Sequence, residues 1–335
     1  MRKPESVVVI TGASSGIGRA TALRFAGRGT SLVLAARRAE ALDTVAEECR
    51  RRGARAVAVP TDVTDPEAVE ELARRAVEEF GRLDVWVNDA AVGFFSPFLD
   101  VPLEDFRRVL DVNVMGYVHG ARAALPVMRR QGRGVLVNVS SVVAEIAQPY
   151  TSAYSMSKAA VRALGVSLRE ELSLDGFDDV KVCTVLPASI DTPFFRHAAN
   201  YTGRAVQPMA PVSDPRAVAR AVVSVARRPR REVVVGAMSR SMVLEHRLAP
   251  GPMEAMMARQ VDASHLSDEH TATDSTGNLH QPSPNPETAA VSGGWAGRRR
   301  TAQRRIVAAG LLVTGPLVVR RLLRRAPGSC SQRTL

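Results

Sequence analysis

The chain has 335 residues, 45% of them hydrophobic and 24% charged, an ordinary globular composition with enough length for a substantial core. Its three cysteines, Cys49, Cys183 and Cys330, stand far apart without metal-ligand spacing, which argues against a disulfide framework or a zinc site and for a reducing, cytoplasmic location. The net charge of +11 comes from the end of the chain, where ten arginines follow the last acidic residue, Glu287; the rest is nearly balanced, 35 basic against 34 acidic residues, so no field steers it to nucleic acid.

Only four apolar residues follow the charged start before a glycine cluster, too few for the apolar core of a signal peptide. Apolar runs at residues 7–10, 31–36, 56–59, 83–87, 135–139, 180–186 and 232–235 predict strands. Segments with apolar spacing of three and four, at 39–52, 66–80 and 153–174 among others, predict helices between them. Such alternation predicts an α/β fold, a doubly wound parallel sheet of Rossmann type with about seven strands, in a domain of residues 1–260. Residues 261–297, rich in Ser, Thr, Asn, Gly and Pro, predict a disordered linker.

Residues 298–335 form a basic and apolar tail in which arginine clusters bracket the mostly apolar run 306–319. As a short helix this run would reach about 21 Å, against about 30 Å of hydrocarbon. Three readings stay open: peripheral contact of residues 298–325 with an anionic membrane surface, a span that recruits Leu322 and Leu323, or a helix that docks on protein or stays unstructured. The first is preferred.

The stretch Thr11-Gly12-Ala13-Ser14-Ser15-Gly16-Ile17-Gly18 lies where the first strand gives way to a helix. A helix N-terminus offers unpaired N–H groups and the positive end of its dipole, so it stabilises an anion. Gly12 permits the turn, and Gly16 and Gly18 let a pyrophosphate and the neighbouring strand approach. At the end of the second strand Arg37 and Arg38 stand where an NAD site carries an acid, which favours NADP(H) over NAD(H). Tyr154 and Lys158 are four residues apart on a predicted helix and share a face. A nearby ammonium favours the phenolate, so the pair suits acid/base chemistry. Ser141, thirteen residues before Tyr154 at a strand end, is placed to polarise a carbonyl.

Together these motifs resemble the short-chain dehydrogenase/reductase family over about residues 6–236. The resemblance implies that residues 11–18 form the cofactor loop, with Gly12, Ser14, Ser15, Gly16, Ile17 and Gly18 at the dinucleotide, and that Asp62 and Val63 contact the adenine side. It implies further cofactor contacts from Asn88 and Ala90, and from Pro187, Ile190 and Thr192 at the nicotinamide amide. Asn113, Ser141, Tyr154 and Lys158 match the catalytic tetrad. In the implied reaction Tyr154 exchanges a proton with the substrate oxygen, Lys158 lowers the phenol pKa and holds the nicotinamide ribose, Ser141 orients the carbonyl or alcohol, and Asn113 holds a proton-relay water. The sequence departs from the family at Asp89 and Ala91, where Asn and Gly are usual, and at Ala188, where Gly is common.

Phe94, Phe95, Phe194, Phe195, Ile146 and Met209 predict an apolar pocket and hence a hydrophobic, lipid- or steroid-like carbonyl or alcohol as the small-molecule partner. The resemblance also implies a homo-oligomer. Two other readings remain. A non-catalytic NADP-binding regulatory protein would not need the tetrad, and a nucleotide-sugar epimerase or dehydratase would need a larger substrate domain.

Overall fold

The computed structural model describes residues 6–295. In chain order its elements are β1 (Ser6–Thr11), α1 (Gly16–Phe25), β2 (Thr30–Ala36), α2 (Ala39–Arg51), β3 (Arg55–Pro60), α3 (Pro66–Phe80), β4 (Val85–Asn88), β5 (Phe94–Phe95) and α4 (Leu103–Leu110). A π-helical turn (Asp111–Met115) leads into α5 (Gly116–Gln131), followed by β6 (Gly134–Val139), a 3-10 turn (Val142–Ala144), α6 (Ser152–Leu174) and β7 (Val180–Pro187). After these come α7 (Phe194–His197), β8 (Ala199–Asn200), β9 (Arg204–Val206), α8 (Pro215–Arg227), β10 (Glu232–Val235), α9 (Ala237–Leu248), α10 (Pro250–His265), β11 (Leu266–Thr271) and a 3-10 turn (Pro286–Ala289).

Seven strands form one sheet in the order β10-β7-β6-β4-β1-β2-β3, and every pairing in it is parallel. This is the doubly wound arrangement expected, and all seven predicted runs became its strands. The winding reverses between β1 and β4, which opens a crevice at the carboxyl ends of those strands.

Period-two geometry divides the apolar residues between two layers. Val7, Val9 and Val33 face α3 and α5 with Leu72, Ala73 and Ala124. Val8, Ile10, Leu32 and Leu34 face α1, α2 and α8 with Ala22, Leu42, Val45 and Val222. Because both faces are covered, the strands read as unbroken apolar runs. Helix starts follow local chemistry: Asp65 accepts hydrogen bonds from the Glu67 and Ala68 N–H groups at 3.0 and 3.2 Å, with Pro66 in the first turn. Asp214 and Pro215 repeat the device at α8.

Residues 261–295 differ from the disordered linker expected. Helix α10 runs through His265, so the predicted boundary at residue 260 falls inside it, and β11 pairs with β9. Few large apolar residues are needed here, because arginines of the sheet domain hold the backbone carbonyls of residues 278–285. One apolar anchor, Leu279, is fully buried. The tail 298–335 and its membrane reading lie outside the described residues. Among the described residues no helix is long and apolar enough to cross a membrane.

The sheet centre is tied by a buried polar node. Asn88 Oδ1 accepts from Trp86 Nε1 at 2.7 Å, and its Nδ2 donates to Asn138 Oδ1 at 3.0 Å, linking β4 to β6. Gly120 of α5 packs on this node so tightly that an added Cβ would lie 2.2 Å from Asn88 Oδ1 and 2.7 Å from Trp86 Nε1. Gly120→Ala is therefore expected to lower stability by about 1–3 kcal/mol, the usual scale of overpacking, read as a lower urea midpoint.

Candidate active site

Glycine is required at the first turn for a geometric reason. Gly12 has φ of +71°, and a Cβ there would meet the Ala90 backbone at 2.8 Å, while one on Gly18 would meet the Gly12 carbonyl oxygen at 2.2 Å. These contacts draw the N-terminus of α1 against the ends of β1 and β4. The result is one wall of a cavity of about 1920 Å³. Gly12, Ser14, Ser15, Gly16, Ile17, Arg37, Arg38, Asp62, Val63, Ala90, Ser141, Tyr154, Lys158, Pro187, Ile190 and Thr192 all line it.

Three of the expected site residues do not line the cavity. Gly18 lies behind the loop against Gly12. Asn88, expected at the cofactor, turns its side chain into the sheet as the β4–β6 tie. Asn113, expected to hold a relay water, is fully buried in the π-helical turn; its Oδ1 accepts from Val92 N–H at 2.9 Å and its Nδ2 donates to Val92 O at 2.9 Å and Ser157 Oγ at 3.1 Å. Those bonds connect the turn to the strand-end loop and to α6, the helix that carries Tyr154 and Lys158.

Tyr154 and Lys158 lie on one face of α6, with the ammonium 5.5 Å from the phenol ring centroid. Lys158 Nζ donates to Val139 O at 3.0 Å and to Tyr117 Oη at 3.1 Å, and Tyr117 Oη donates to Val139 O at 2.8 Å. Ser141 caps the 3-10 turn, accepting from Val143 N–H at 3.3 Å, and donates to Pro187 O at 3.3 Å. Turned from Pro187 O to the Tyr154 phenol, this hydroxyl would favour the phenolate, the one influence that lowers the Tyr154 pKa.

The titration of the pair differs from the expectation. Burial raises the Tyr154 pKa above the usual phenol value, and the charge of Asp89 raises it further. The lowering expected from Lys158 does not offset these two effects; its ammonium donates to Val139 O and Tyr117 Oη. Burial pushes Lys158 down, opposed by Asp89, and pushes Asp89 up, opposed by Lys158 and by a hydrogen bond from the Gly18 N–H. In the sequence Asp89 reads as a departure from a motif that bears on the hydrogen bonding between central strands; here it also acts on the charges of the site. Ala91 and Ala188 fit without strain, since Tyr150 is the one non-glycine with positive φ among the described residues.

Asp62 pairs with Arg108 at 2.7 Å and accepts from Thr64 N–H at 3.0 Å, which holds its pKa below the usual carboxylate value despite partial burial. Arg37 and Arg38 have only uncharged hydrogen-bond partners among the described residues. Burial lowers the pKa of both, and for Arg37 the nearby charge of Asp62 acts in the opposite direction.

At the other end the predicted apolar residues Phe94, Phe95, Phe194, Phe195, Ile146 and Met209 all line the cavity. Phe195 stacks on His265 at 5.8 Å, and burial pushes this histidine down to about 4, so it stays neutral. Sequence reasoning missed the cover made by α9 and α10, which brings Met238, Met242, Met253, Met256 and Met257 to the same cavity. Five methionines within residues 238–257 were the signal available.

A family model described as short chain dehydrogenase matches residues 6–201. The uncharacterized oxidoreductase YxnA of Bacillus subtilis (strain 168) is 37% identical over 261 residues, covering 76% of this chain and 72% of that protein. An uncharacterized oxidoreductase of Staphylococcus aureus (strain USA300) is 37% identical over 188 residues, covering 56% of this chain and 79% of its own length. Among solved structures, a short chain dehydrogenase/reductase from Burkholderia phymatum in complex with NAD superposes with a TM-score of 0.67 at 28% identity, covering 74% of this chain and 95% of the other. An alcohol dehydrogenase from Thermococcus sibiricus complexed with 5-hydroxy-NADP gives a TM-score of 0.60 at 30% identity, covering 69% and 96%. The chain belongs to the short-chain dehydrogenase/reductase family of oxidoreductases, whose solved relatives here carry NAD in one case and an NADP derivative in the other.

The charge of Asp89 raises the pKa of both Tyr154 and Lys158. Asp89→Asn removes it, so both groups are expected to lose their protons at lower pH. Alcohol oxidation needs the phenolate, and its rising limb in kcat/KM against pH should move to lower pH. A limb that stays in place assigns that titration to another group.

Proposed function

We propose that the chain is an NADP(H)-dependent oxidoreductase interconverting a hydrophobic alcohol and its ketone or aldehyde. The observation that carries this reading is a single cavity that joins Tyr154, Ser141 and Lys158 to Arg37 and Arg38 at its far end. The dinucleotide fits the residues present. The turn at Gly12 has no space for a side chain, Gly16 would bring a Cβ within 3.2 Å of the Thr192 side chain, and two guanidiniums lack an acidic hydrogen-bond partner. A 2′-phosphate supplies that missing anion, which supports NADP(H) over NAD(H).

When bound, the nicotinamide donates or accepts the hydride. The protein's own part is position and proton control. The loop of residues 12–17 and the Asp62–Val63 end hold the dinucleotide, and Pro187, Ile190 and Thr192 line the nicotinamide end. Tyr154 Oη gives a proton to a carbonyl oxygen or takes one from an alcohol. Ser141 Oγ orients that oxygen, and Lys158 keeps a positive charge beneath the phenol. Asn113 acts at one remove, positioning the π-helical turn against α6 through Ser157.

The apolar end supports a bulky hydrophobic substrate. Aromatic rings and methionines line it, and thioethers adapt to irregular apolar shapes. A homo-oligomer and peripheral membrane contact through residues 298–325 belong to the same reading, the former from the family and the latter from the sequence of the tail.

The test is NADPH oxidation against a panel of hydrophobic carbonyls, with Tyr154→Phe beside it. The variant is expected to lose about 10²–10⁴-fold in kcat/KM, the usual contribution of a positioned acid or base, while still binding NADPH by fluorescence. Undiminished turnover in the variant removes the role given to Tyr154, and turnover confined to small charged sugars removes the hydrophobic substrate.

A further inference from the structure

Residues 275–295 cross the mouth of the cofactor crevice as a strap that lies beyond the residues matched by the family model. Asn200 and Ser275 exchange backbone hydrogen bonds at 2.8 and 3.0 Å at one end. Next, Leu279 is fully buried, and His280 Nε2 lies 2.6 Å from the buried Asp105 carboxylate, which also accepts from the Tyr201 hydroxyl. At the other end, Asp191 accepts from Ser292 Oγ at 2.8 Å and from Trp295 N–H at 2.9 Å.

Between these anchors the strap takes up the donors of the dinucleotide site. Arg37 donates to the carbonyls of Asn278 at 2.6 Å and of Leu279 and His280 at 3.1 Å. A single nitrogen of Arg38, Nη1, faces three acceptors: Ser283 O and Asn285 O at 3.1 Å and Thr288 Oγ1 at 2.7 Å. Beyond residue 289, the Gly16 N–H donates to Ala290 O at 3.0 Å, a contact that the pyrophosphate of either cofactor meets alike and that does not discriminate between them. Each partner is neutral. Hydrogen bonds from a guanidinium to a phosphate are roughly twice as strong as those between neutral groups, and the guanidinium fork suits phosphate oxygens.

We infer that the strap is a determinant of cofactor choice: residues 278–289 and the 2′-phosphate of NADP(H) compete for Arg37 and Arg38, so NADP(H) binds with this stretch lifted and NAD(H) leaves it in place. This rests on the assignment of those arginines to the 2′-phosphate. By linkage, whatever weakens the hold of residues 278–289 on the two arginines strengthens NADP(H) binding by up to the same factor and changes NAD(H) binding, which does not use those arginines, far less.

Two measurements on the full chain test the inference. The first is amide hydrogen exchange of residues 278–290 with saturating NADP+, NAD+, 2′,5′-ADP or 5′-AMP. Faster exchange is expected with the two 2′-phosphorylated ligands only. The second is His280→Ala, which removes one anchor and leaves Asp105 its bond from Tyr201. NADP+ is expected to bind about fivefold more tightly, the lower end of common coupling factors, and NAD+ within about twofold of the unsubstituted chain. Slower strap exchange with NADP+, equal responses to NADP+ and NAD+, or weaker NADP+ binding in His280→Ala overturns the inference. A double Arg37→Ala, Arg38→Ala variant separates the two readings: an unchanged NADP+/NAD+ affinity ratio defeats the arginine assignment itself and the strap inference with it, whereas a changed ratio with a strap that does not respond defeats the strap inference alone.

Discussion

The contact between Gly18 and the Gly12 carbonyl, too close for any β-carbon, is the constraint on which the site depends. It fixes where the first helix begins relative to the first strand. Ala90, two residues past β4, packs on the same turn, so the switch point of the sheet and the glycine loop become one rigid unit. A side chain at either glycine would push the helix N-terminus away from the crevice and displace its N–H groups from any anion held there.

The acid/base machinery rests on a second arrangement, polar groups enclosed by that unit. Lys158 is among the fully buried side chains, yet it has Val139 O and Tyr117 Oη as acceptors and Asp89 as counter-charge. An ammonium left there without them would be neutralised by desolvation. Asp89 thus balances the lysine while opposing ionisation of the phenol. The protonated tyrosine is the form held ready, which suits donation of a proton to a carbonyl. The family's usual asparagine at this position carries no charge, and the substitution therefore changes the electrostatics of the site more than its shape.

Much of this was legible in the sequence because it is written in local patterns. Unbroken apolar runs give parallel strands covered on both faces, and Tyr154 and Lys158 share a helix face by spacing alone. A motif marks Asn88 for the cofactor and Asn113 for a relay water, but the motif does not say that their side chains tie strands and loops from behind. Periodicity says which face a residue takes, not which of two polar groups it meets. The strap was hidden for another reason. A segment poor in apolar residues reads as disordered when it must supply its own core, but this one borrows its hydrogen bonds from arginines more than two hundred positions away. Among its residues Leu279 is the only buried apolar one, and one leucine produces no periodicity.

That separation has a consequence for how the molecule is made. Arg37 and Asn278 are bonded across 241 positions, and Arg38 and Thr288 across 250. On the ribosome the last strand of the sheet, β10, emerges well before the strap, and contacts so distant in sequence form late. A nascent chain therefore exposes a finished nucleotide crevice with both guanidiniums uncovered, and the first group to reach them is whatever anion the surrounding solution offers.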